Sequence, residues 1–544
     1  HWLHGPDGNA VGNDRVVGPP RRLQWTAGPL WSRHHDTVPS TAAMVTANGR
    51  LFYISDEAPP GLDGRLPDKW FLVARDAFNG ILLWKRPIAK WGWRQWSGTW
   101  LGRFNQPIQI HKRVVAAGDR VYATLGFHAP LSVLDAATGK IIRTYQGTEW
   151  TDEILYRDGL LVLALDKDDK SPTQGGKNPV HKSVCVLDAR TGKILWKKGD
   201  YIGLHAKSNL AERYGRLELT LGGDRVFLVD KKAIVCLDLR TGRELWRVPR
   251  PPVRDYVALF SMRMNDLCVL VYHPDDILLF AQPEMEIRDP WHTIPGTLYA
   301  YDAKNGKLLW KHRYGGWAHF YQPDVFVINR LVWVHEHVPV KEGIPGNKHY
   351  LPNKDKLPYA VIGLDPRTGE VRKRFDTREI FNVGHHHRCY RNKSTVRYII
   401  CSRRGVELVD LATGKNFTNY WARGGCLYGI MPANGLVYAP MHDCACYIEA
   451  KLFGFNALAA RSSPIKPPAN RLEKGPAYDD VPAEPARPGD WPTYRRDPFR
   501  SGHTEAAVPA ALRIAWRRKV GQNLSAPVVA NGRLYLAEKD AHTL

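Results

Sequence analysis

The chain has 544 residues, enough for two or three domains, with 44% hydrophobic residues and 19 Trp to build cores. Its 77 Lys and Arg outnumber 54 Asp and Glu, giving a formal charge of +23. The basic residues are scattered rather than clustered, which argues for a generally basic surface and against nucleic acid as the partner. No apolar run reaches the roughly 20 residues of a membrane-spanning helix. The first residue is His1 rather than Met, so upstream sequence is expected, and the visible N-terminus carries no signal peptide.

Residues 1–22 read as an N-terminal extension. Leu23-Gln24-Trp25 then reads as a short strand. From there a five-residue phrase, Asp-x-x-Thr/Asn-Gly, recurs seven times, beginning at Asp76, Asp135, Asp188, Asp238, Asp302, Asp365 and Asp410. The mean spacing is about 56 residues, a period that belongs to arrays of supersecondary units. Apolar runs flank each copy, as in Val184-Cys185-Val186-Leu187 before it and Ile194-Leu195-Trp196 after it. This is strand, tight turn, strand. The Asp carboxylate accepts turn amides, and the Gly supplies a positive φ.

A Trp follows the Asp by eight residues at Trp84, Trp196, Trp246 and Trp310, where it can bury against the next unit. Arg143, Lys373 and Thr418 hold that position in the other three copies. A second phrase precedes most copies, as in Ala47-Asn48-Gly49-Arg50-Leu51-Phe52 and Ala433-Asn434-Gly435-Leu436-Val437-Tyr438, and marks a hairpin. Each period therefore holds about four strands, one β-propeller blade.

Gly454-Phe455-Asn456-Ala457-Leu458 reads as an inner strand of an eighth blade whose turn phrase is lost. The Trp25 strand can complete that blade and close the ring. The expectation is an all-β, eight-bladed propeller over 23–460, with seven blades as the alternative if Asn456 lies outside a strand. Residues 461–490 carry seven prolines and read as a linker. Residues 491–544 restart the pattern, with Trp491-Pro492, then Ala515-Trp516, then Val528-Val529-Ala530-Asn531-Gly532-Arg533-Leu534-Tyr535. They read as the truncated start of a second propeller, because a partial blade cannot bury its own faces.

Eight Cys are present. Cys185, Cys236 and Cys268 sit in apolar strands and read as small buried hydrophobes. Cys389, Cys401, Cys426, Cys444 and Cys446 crowd together with His385, His386, His387 and His442. Thiolate with imidazole suits zinc or another transition metal. The candidate ligands are His386, His387, Cys389, Cys426, His442, Cys444 and Cys446, in consecutive blades near one mouth of the ring. Disulfides, Cys389 with Cys401 or Cys426 with Cys444 or Cys446, are an alternative in an oxidising compartment, and a redox-active thiol is a third. His34-His35 read as loop residues, or as facing the same funnel. Trp91, Trp93, Arg94 and Trp96 read as packing, or as a ligand platform. No Gly-x-Ser-x-Gly elbow, phosphate loop or His-Glu-x-x-His is present.

The phrases at Leu187–Trp196 and Leu237–Trp246 resemble the tryptophan-docking repeat of quinoprotein propellers. That superfamily includes pyrroloquinoline quinone (PQQ) alcohol dehydrogenases and the lipoprotein scaffold of the outer-membrane β-barrel assembly machine. The whole chain looks most like PQQ-like repeat proteins of planctomycete-type bacteria. The resemblance covers about 23–460 and again 491–544. It implies a periplasmic or cell-envelope location and a protein or polymer partner there. The dehydrogenase branch also implies PQQ on a disulfide of adjacent cysteines beside a calcium or lanthanide site. This sequence has no adjacent Cys pair and no recognisable set of calcium ligands. Three functions are compatible with these features: a non-catalytic binding or scaffold propeller, a PQQ-dependent dehydrogenase of unusual chemistry, and a metal- or thiol-dependent oxidoreductase using the His/Cys residues. Fold analogy alone does not choose an activity.

Overall fold

The computed structural model describes residues 5–29, 41–58, 68–89, 91, 110–166, 181–204, 216–253, 268–284, 295–315, 323–337, 358–380, 390–401, 405–425, 428–441, 452–460, 479, 485, 487–521 and 523–538. The chain forms two compact units, 1–462 and 463–544.

The first unit is an eight-bladed β-propeller. Blades 1 to 7 take their strands from 41–87, 114–144, 151–202, 218–249, 269–315, 326–376 and 393–417, each a sheet in simple up-and-down order. Blade 8 combines Met431–Ala433, Leu436–Ala439 and Phe455–Ala459 with Arg22–Ala27 from the start of the chain. Arg22–Ala27 runs antiparallel to Phe455–Ala459, with Trp25 opposite Ala457. The two ends of the ring are thus hydrogen-bonded into one sheet, and the eight-blade reading holds. First strands of neighbouring blades contact one another, as in Thr41–Ala47 with Val114–Ala117, so the first strand of each blade is the inner one.

The Asp phrase builds the outer turn of each blade. Asp188 Oδ1 accepts from the amides of Arg190 at 3.0 Å and Thr191 at 2.6 Å and from the Thr191 hydroxyl at 2.8 Å. Asp238 repeats this with Arg240 and Thr241. The turn glycine has positive φ, +80° at Gly192 and +70° at Gly242.

That glycine is also where blades meet. The Trp246 indole lies over Gly306 of the next blade, and its Nε1 donates to Ala303 O at 2.9 Å. Trp25, Trp84, Trp196 and Trp310 repeat both contacts, on Ala77 and Gly80, Ala136 and Gly139, Leu239 and Gly242, and Pro366 and Gly369. Where Arg143 and Lys373 displace the Trp, an aromatic two residues later takes its place. Tyr145 packs near Gly192 and donates to Ala189 O at 2.5 Å, while Phe375 lies over Gly414. Trp25, Trp246 and Trp310 are buried, whereas Trp84 and Trp196 are half-buried.

Residues 5–17, read from sequence only as an extension, run along the inner strands of blades 4 to 8. One amide from each blade donates to them in order. Leu221 N bonds Pro6 O at 2.7 Å and Tyr272 N bonds Asp7 O at 3.0 Å. Val327 N bonds Asn9 Oδ1 at 2.6 Å, Ser394 N bonds Ala10 O at 3.2 Å, and Gly435 N bonds Asp14 Oδ2 at 2.6 Å. Asn9 Nδ2 also donates to Val327 O, so its carboxamide acts as a strand partner. Val11–Gly12 adds a parallel fifth strand to blade 7. The segment is a clasp that satisfies inner-edge amides a propeller otherwise leaves open.

In the second unit, Val528–Ala530 and Arg533–Tyr535 form an antiparallel hairpin. Trp491 bridges its Val529 edge, with N–H···O bonds of 2.8 and 3.0 Å in the two directions.

Candidate functional site

The channel-facing start of the inner strands carries buried charge. A short 3-10 turn, Ile110–Arg113, delivers His111, Lys112 and Arg113 ahead of blade 2. Asp152 and Glu153 open blade 3, Arg216 and Glu218 open blade 4, Asp324 precedes blade 6, and Arg391, Asn392 and Lys393 open blade 7.

These charges are largely consumed by one another. Lys112 Nζ lies 2.8 Å from Glu153 Oε1 and 3.4 Å from Glu218 Oε2, and Arg216 also pairs with Glu218. Arg113 Nη2 lies 3.0 Å from Asp152 Oδ1, and Lys182 sits between Asp152 and Asp166. Four cations (Lys112, Arg113, Lys182, Arg216) thus face four carboxylates (Asp152, Glu153, Asp166, Glu218). Around blade 7, Asp324 accepts the Asn392 amide at 3.0 Å and its Nδ2 at 2.9 Å, with His335 Nε2 at 3.6 Å. Arg391 donates to Val325 O at 2.8 Å and to Gly8 O of the clasp at 3.0 Å.

The electrostatics follow from burial. Burial pushes the Glu153 carboxyl up to about 7, against the pull of Lys112. Burial, then Asp152, raises Asp166 to about 6. His111 is held well below its ordinary value by burial and then by Lys112, Lys393, Arg216 and Arg391, so it stays neutral. Cations of blades 2, 4 and 7 thus add to the effect of burial on this imidazole. A neutralised, buried set of this kind fixes geometry. Among the described residues it offers no counterpart of the disulfide-stacked PQQ site that the quinoprotein resemblance implies. The cations of blades 2 to 4 are already paired with carboxylates, and the sequence has no adjacent cysteines for the quinone to stack on.

Of the residues singled out from sequence, His386, His387, Cys389, Cys426, His442, Cys444 and Cys446 all lie outside the described residues, as do His34, His35, Trp93, Arg94 and Trp96. Their described neighbours do meet. Gly429 is packed against the Tyr390 ring, Gly429 N donates to Gly425 O at 2.8 Å, and a Cβ on Gly425 would stand 3.3 Å from Met441 O. Cys401 is buried in blade 7. Cys185 and Cys236 are buried in their strands as expected, their thiols raised by burial to about 11 and 12. Trp91 is fully buried, with the Arg113 guanidinium 5.9 Å from its ring centre. Among the described residues no group of three or more His, Cys, Asp or Glu is placed to hold a metal ion. Sequence reasoning missed the ion network, although its signal was present. Lys112-Arg113, Asp152-Glu153 and Arg391 to Lys393 each stand just at the start of an inner strand.

With this geometry in hand, comparison with known proteins gives three findings. A family profile described as "Outer membrane protein assembly factor BamB" (PQQ_2) matches residues 71–267, from the third strand of blade 1 through blade 4. A search of curated proteins finds no match. Among solved structures, a europium-containing methanol dehydrogenase is similar at 11% identity and TM-score 0.44, over 81% of this chain and 90% of that one. BamB from Moraxella catarrhalis is similar at 10% identity and TM-score 0.33, over 81% and 97%. The quinohemoprotein alcohol dehydrogenase from Comamonas testosteroni is similar at 13% identity and TM-score 0.42, over 82% and 77%. The repeat and the ring make this chain an eight-bladed β-propeller, and its residues 71–267 are similar to the matched family profile. Among the described residues no helix is long and apolar enough to cross a membrane.

Proposed function

We propose that this protein is a non-catalytic propeller, a binding or scaffold module for a protein partner in the bacterial cell envelope. The observation that carries this reading is a row of exposed aliphatic residues repeated around the rim. They stand where the outer strands of blades 1, 2, 3, 5 and 6 begin: Ile81 and Leu83, Ile141 and Ile142, Ile194 and Leu195, Leu308 and Leu309, and Val371. Repetition in register makes an apolar surface of a kind that marks contact with another macromolecule. The ion pairs of blades 2 to 4 support the same reading, since they provide stiffness. The matched profile, named for an outer membrane protein assembly factor, supports a protein partner and an envelope location.

The test uses the natural protein crosslinked in its envelope fraction, beside a variant carrying Ile142→Glu and Leu195→Glu. The parent should recover a stoichiometric protein partner. The variant should lose it with an unchanged melting temperature. Stoichiometric bound quinone with substrate-dependent dye reduction would overturn the reading.

A second reading keeps a metal- or thiol-dependent site at His386, His387, Cys389, Cys426, His442, Cys444 and Cys446. It is supported by the contacts among Tyr390, Gly425, Gly429 and Met441, which adjoin those stretches. Elemental analysis of the purified protein tests it. About one transition metal per chain, lost in Cys444→Ser, is expected, and none in the parent would end it.

A further inference from the structure

The clasp is held as a peptide ligand is held. Of its residues 5–14 only Gly8, Asn9 and Ala10 are buried, and none brings a large apolar side chain. Its grip is a ladder of single bonds to inner-strand amides, from Leu221 to Ser394. Peptides that add to a sheet edge bind in this way, with main-chain bonds for affinity and small pockets for selectivity. The ring itself closes without the clasp, through five residue pairs between Arg22–Ala27 and Phe455–Ala459.

Two positions of the groove select the residue that fills them. Gly8 has φ of +72°, and a Cβ there would collide with Leu270 O and stand 2.7 Å from Thr220 Oγ1. Thr220 Oγ1 donates to Leu270 O at 3.0 Å, which fixes that wall across blades 4 and 5. Only glycine fits. Beside it, the Val327 main chain reads a carboxamide at both ends, donating to Asn9 Oδ1 at 2.6 Å and accepting from Nδ2 at 2.9 Å. A carboxylate could accept there but not donate. Asp7 Oδ1 accepts the Asn9 amide at 3.1 Å, and Arg391 donates to Gly8 O at 3.0 Å. The groove therefore recognises Asp-Gly-Asn. Ala10 is held at φ of +56°, a conformation a non-glycine residue keeps only where its surroundings impose it. The ring imposes the clasp's shape, as a receptor does.

We infer that residues 5–14 are a displaceable ligand held in cis, and that the groove they fill along the inner strands of blades 4 to 7 takes an Asp-Gly-Asn segment of a partner protein. The groove is built from inner strands and the exposed aliphatic row from outer strands, so this inference and the rim reading can fail separately.

The test uses the full chain carrying Gly8→Ala, with Asn9→Ala as a second variant, and a labelled synthetic peptide of residues 5–17. Hydrogen exchange at Leu221, Tyr272, Val327 and Ser394 should quicken in both variants while each still melts cooperatively. The peptide should bind Gly8→Ala and restore protection of those amides. The same peptide with Asn9→Ala should bind roughly 10-fold or more weakly, having lost two hydrogen bonds. The parent should also bind the peptide roughly 10-fold or more weakly, because its own clasp competes at about millimolar effective concentration. Loss of the folded ring in both variants would overturn the inference by making the clasp integral to the fold. Unchanged exchange in both, or no peptide binding to the opened groove, would overturn it as well. A one-to-one complex of Gly8→Ala with the parent would overturn the assignment to another protein, since a second copy's clasp would then be the source.

Discussion

Trp246 and Gly306 are in face-to-face contact across the boundary between blades 4 and 5. A Cβ on Gly306 would stand 2.8 Å from the indole Cε3, so the ring occupies the space a side chain would need. The same indole donates to Ala303 O at 2.9 Å, and Trp246 is buried. Loss of the ring removes apolar contact on both blades and leaves a carbonyl without its donor. Trp246→Ala should therefore cost about 3–5 kcal/mol, as other buried aromatics do. Trp196 makes the equivalent bond to Leu239 O but is half-buried, and its truncation should cost less. Chemical denaturation of both variants checks this, and a cost below about 1 kcal/mol for Trp246→Ala would sink the docking role.

The partner position gives a second prediction. Gly242 has φ of +70°, and an added Cβ would lie 2.6 Å from Trp196 Cδ2. Gly242→Ala combines a left-handed strain of roughly 1–2 kcal/mol with displacement of that ring. Its cost should exceed that of Gly118→Ala, where φ is +56° but nothing lies within 4 Å. Paired melting curves for the two variants decide it.

How much of the fold was legible in the sequence depends on how local each signal is. The Asp turns and the Asn-Gly hairpins rest on backbone conformations that few residue types adopt, so they leave a readable phrase, and the closing strand shows itself through Trp25. Tyr145 and Phe375 were harder to see, because the docking aromatic had moved two residues along its strand while keeping its task. The clasp left almost no signal. Its bonds to Leu221, Tyr272 and Ser394 come from backbone carbonyls, which any residue can supply. The channel network was hidden for a different reason. Lys112, Glu153 and Glu218 belong to separate, consecutive blades, and only the packing of those blades brings them together.

Lys182 is fully buried between Asp152 and Asp166. Both carboxylates are raised in energy by burial if their cation is removed, and Arg113 bonds Asp152 directly but acts on Asp166 only through its charge. Lys182→Met should cost about 3–5 kcal/mol, as expected when one partner of a buried charge set is lost. Adding Asp166→Asn should recover a substantial part of that loss. Equilibrium unfolding of the single and double variants measures this, and a double variant no more stable than Lys182→Met would show that the pairing is not what holds Lys182.

The pH dependence of stability tests the channel from the opposite direction. Burial raises Glu153 from 4.5 to about 7. Between those values the folded protein holds a proton that the unfolded chain has released, so this group's contribution declines as pH rises through the window. His111 acts in the opposite sense. Its folded value lies well below 6.5, so protonation favours the unfolded chain and stability is lost as pH falls below that value. The turn carboxylates add a loss at lower pH. Hydrogen bonds from Thr138 and Thr191 hold Asp135 and Asp188 below 3.8, so their contribution is present above that value and lost as pH falls through their folded values. Because His111 and Glu153 overlap in pH, the parent's own curve does not isolate either group. The difference between parent and Glu153→Gln does, since the turns and His111 are common to both. Relative to the parent, Glu153→Gln should gain stability steadily from about pH 5 to pH 7 and change little below pH 4, where Glu153 is protonated in both states. Thermal melts from pH 3 to pH 8 measure that difference, and a difference that stays constant across the range would show that Glu153 does not carry the raised carboxyl.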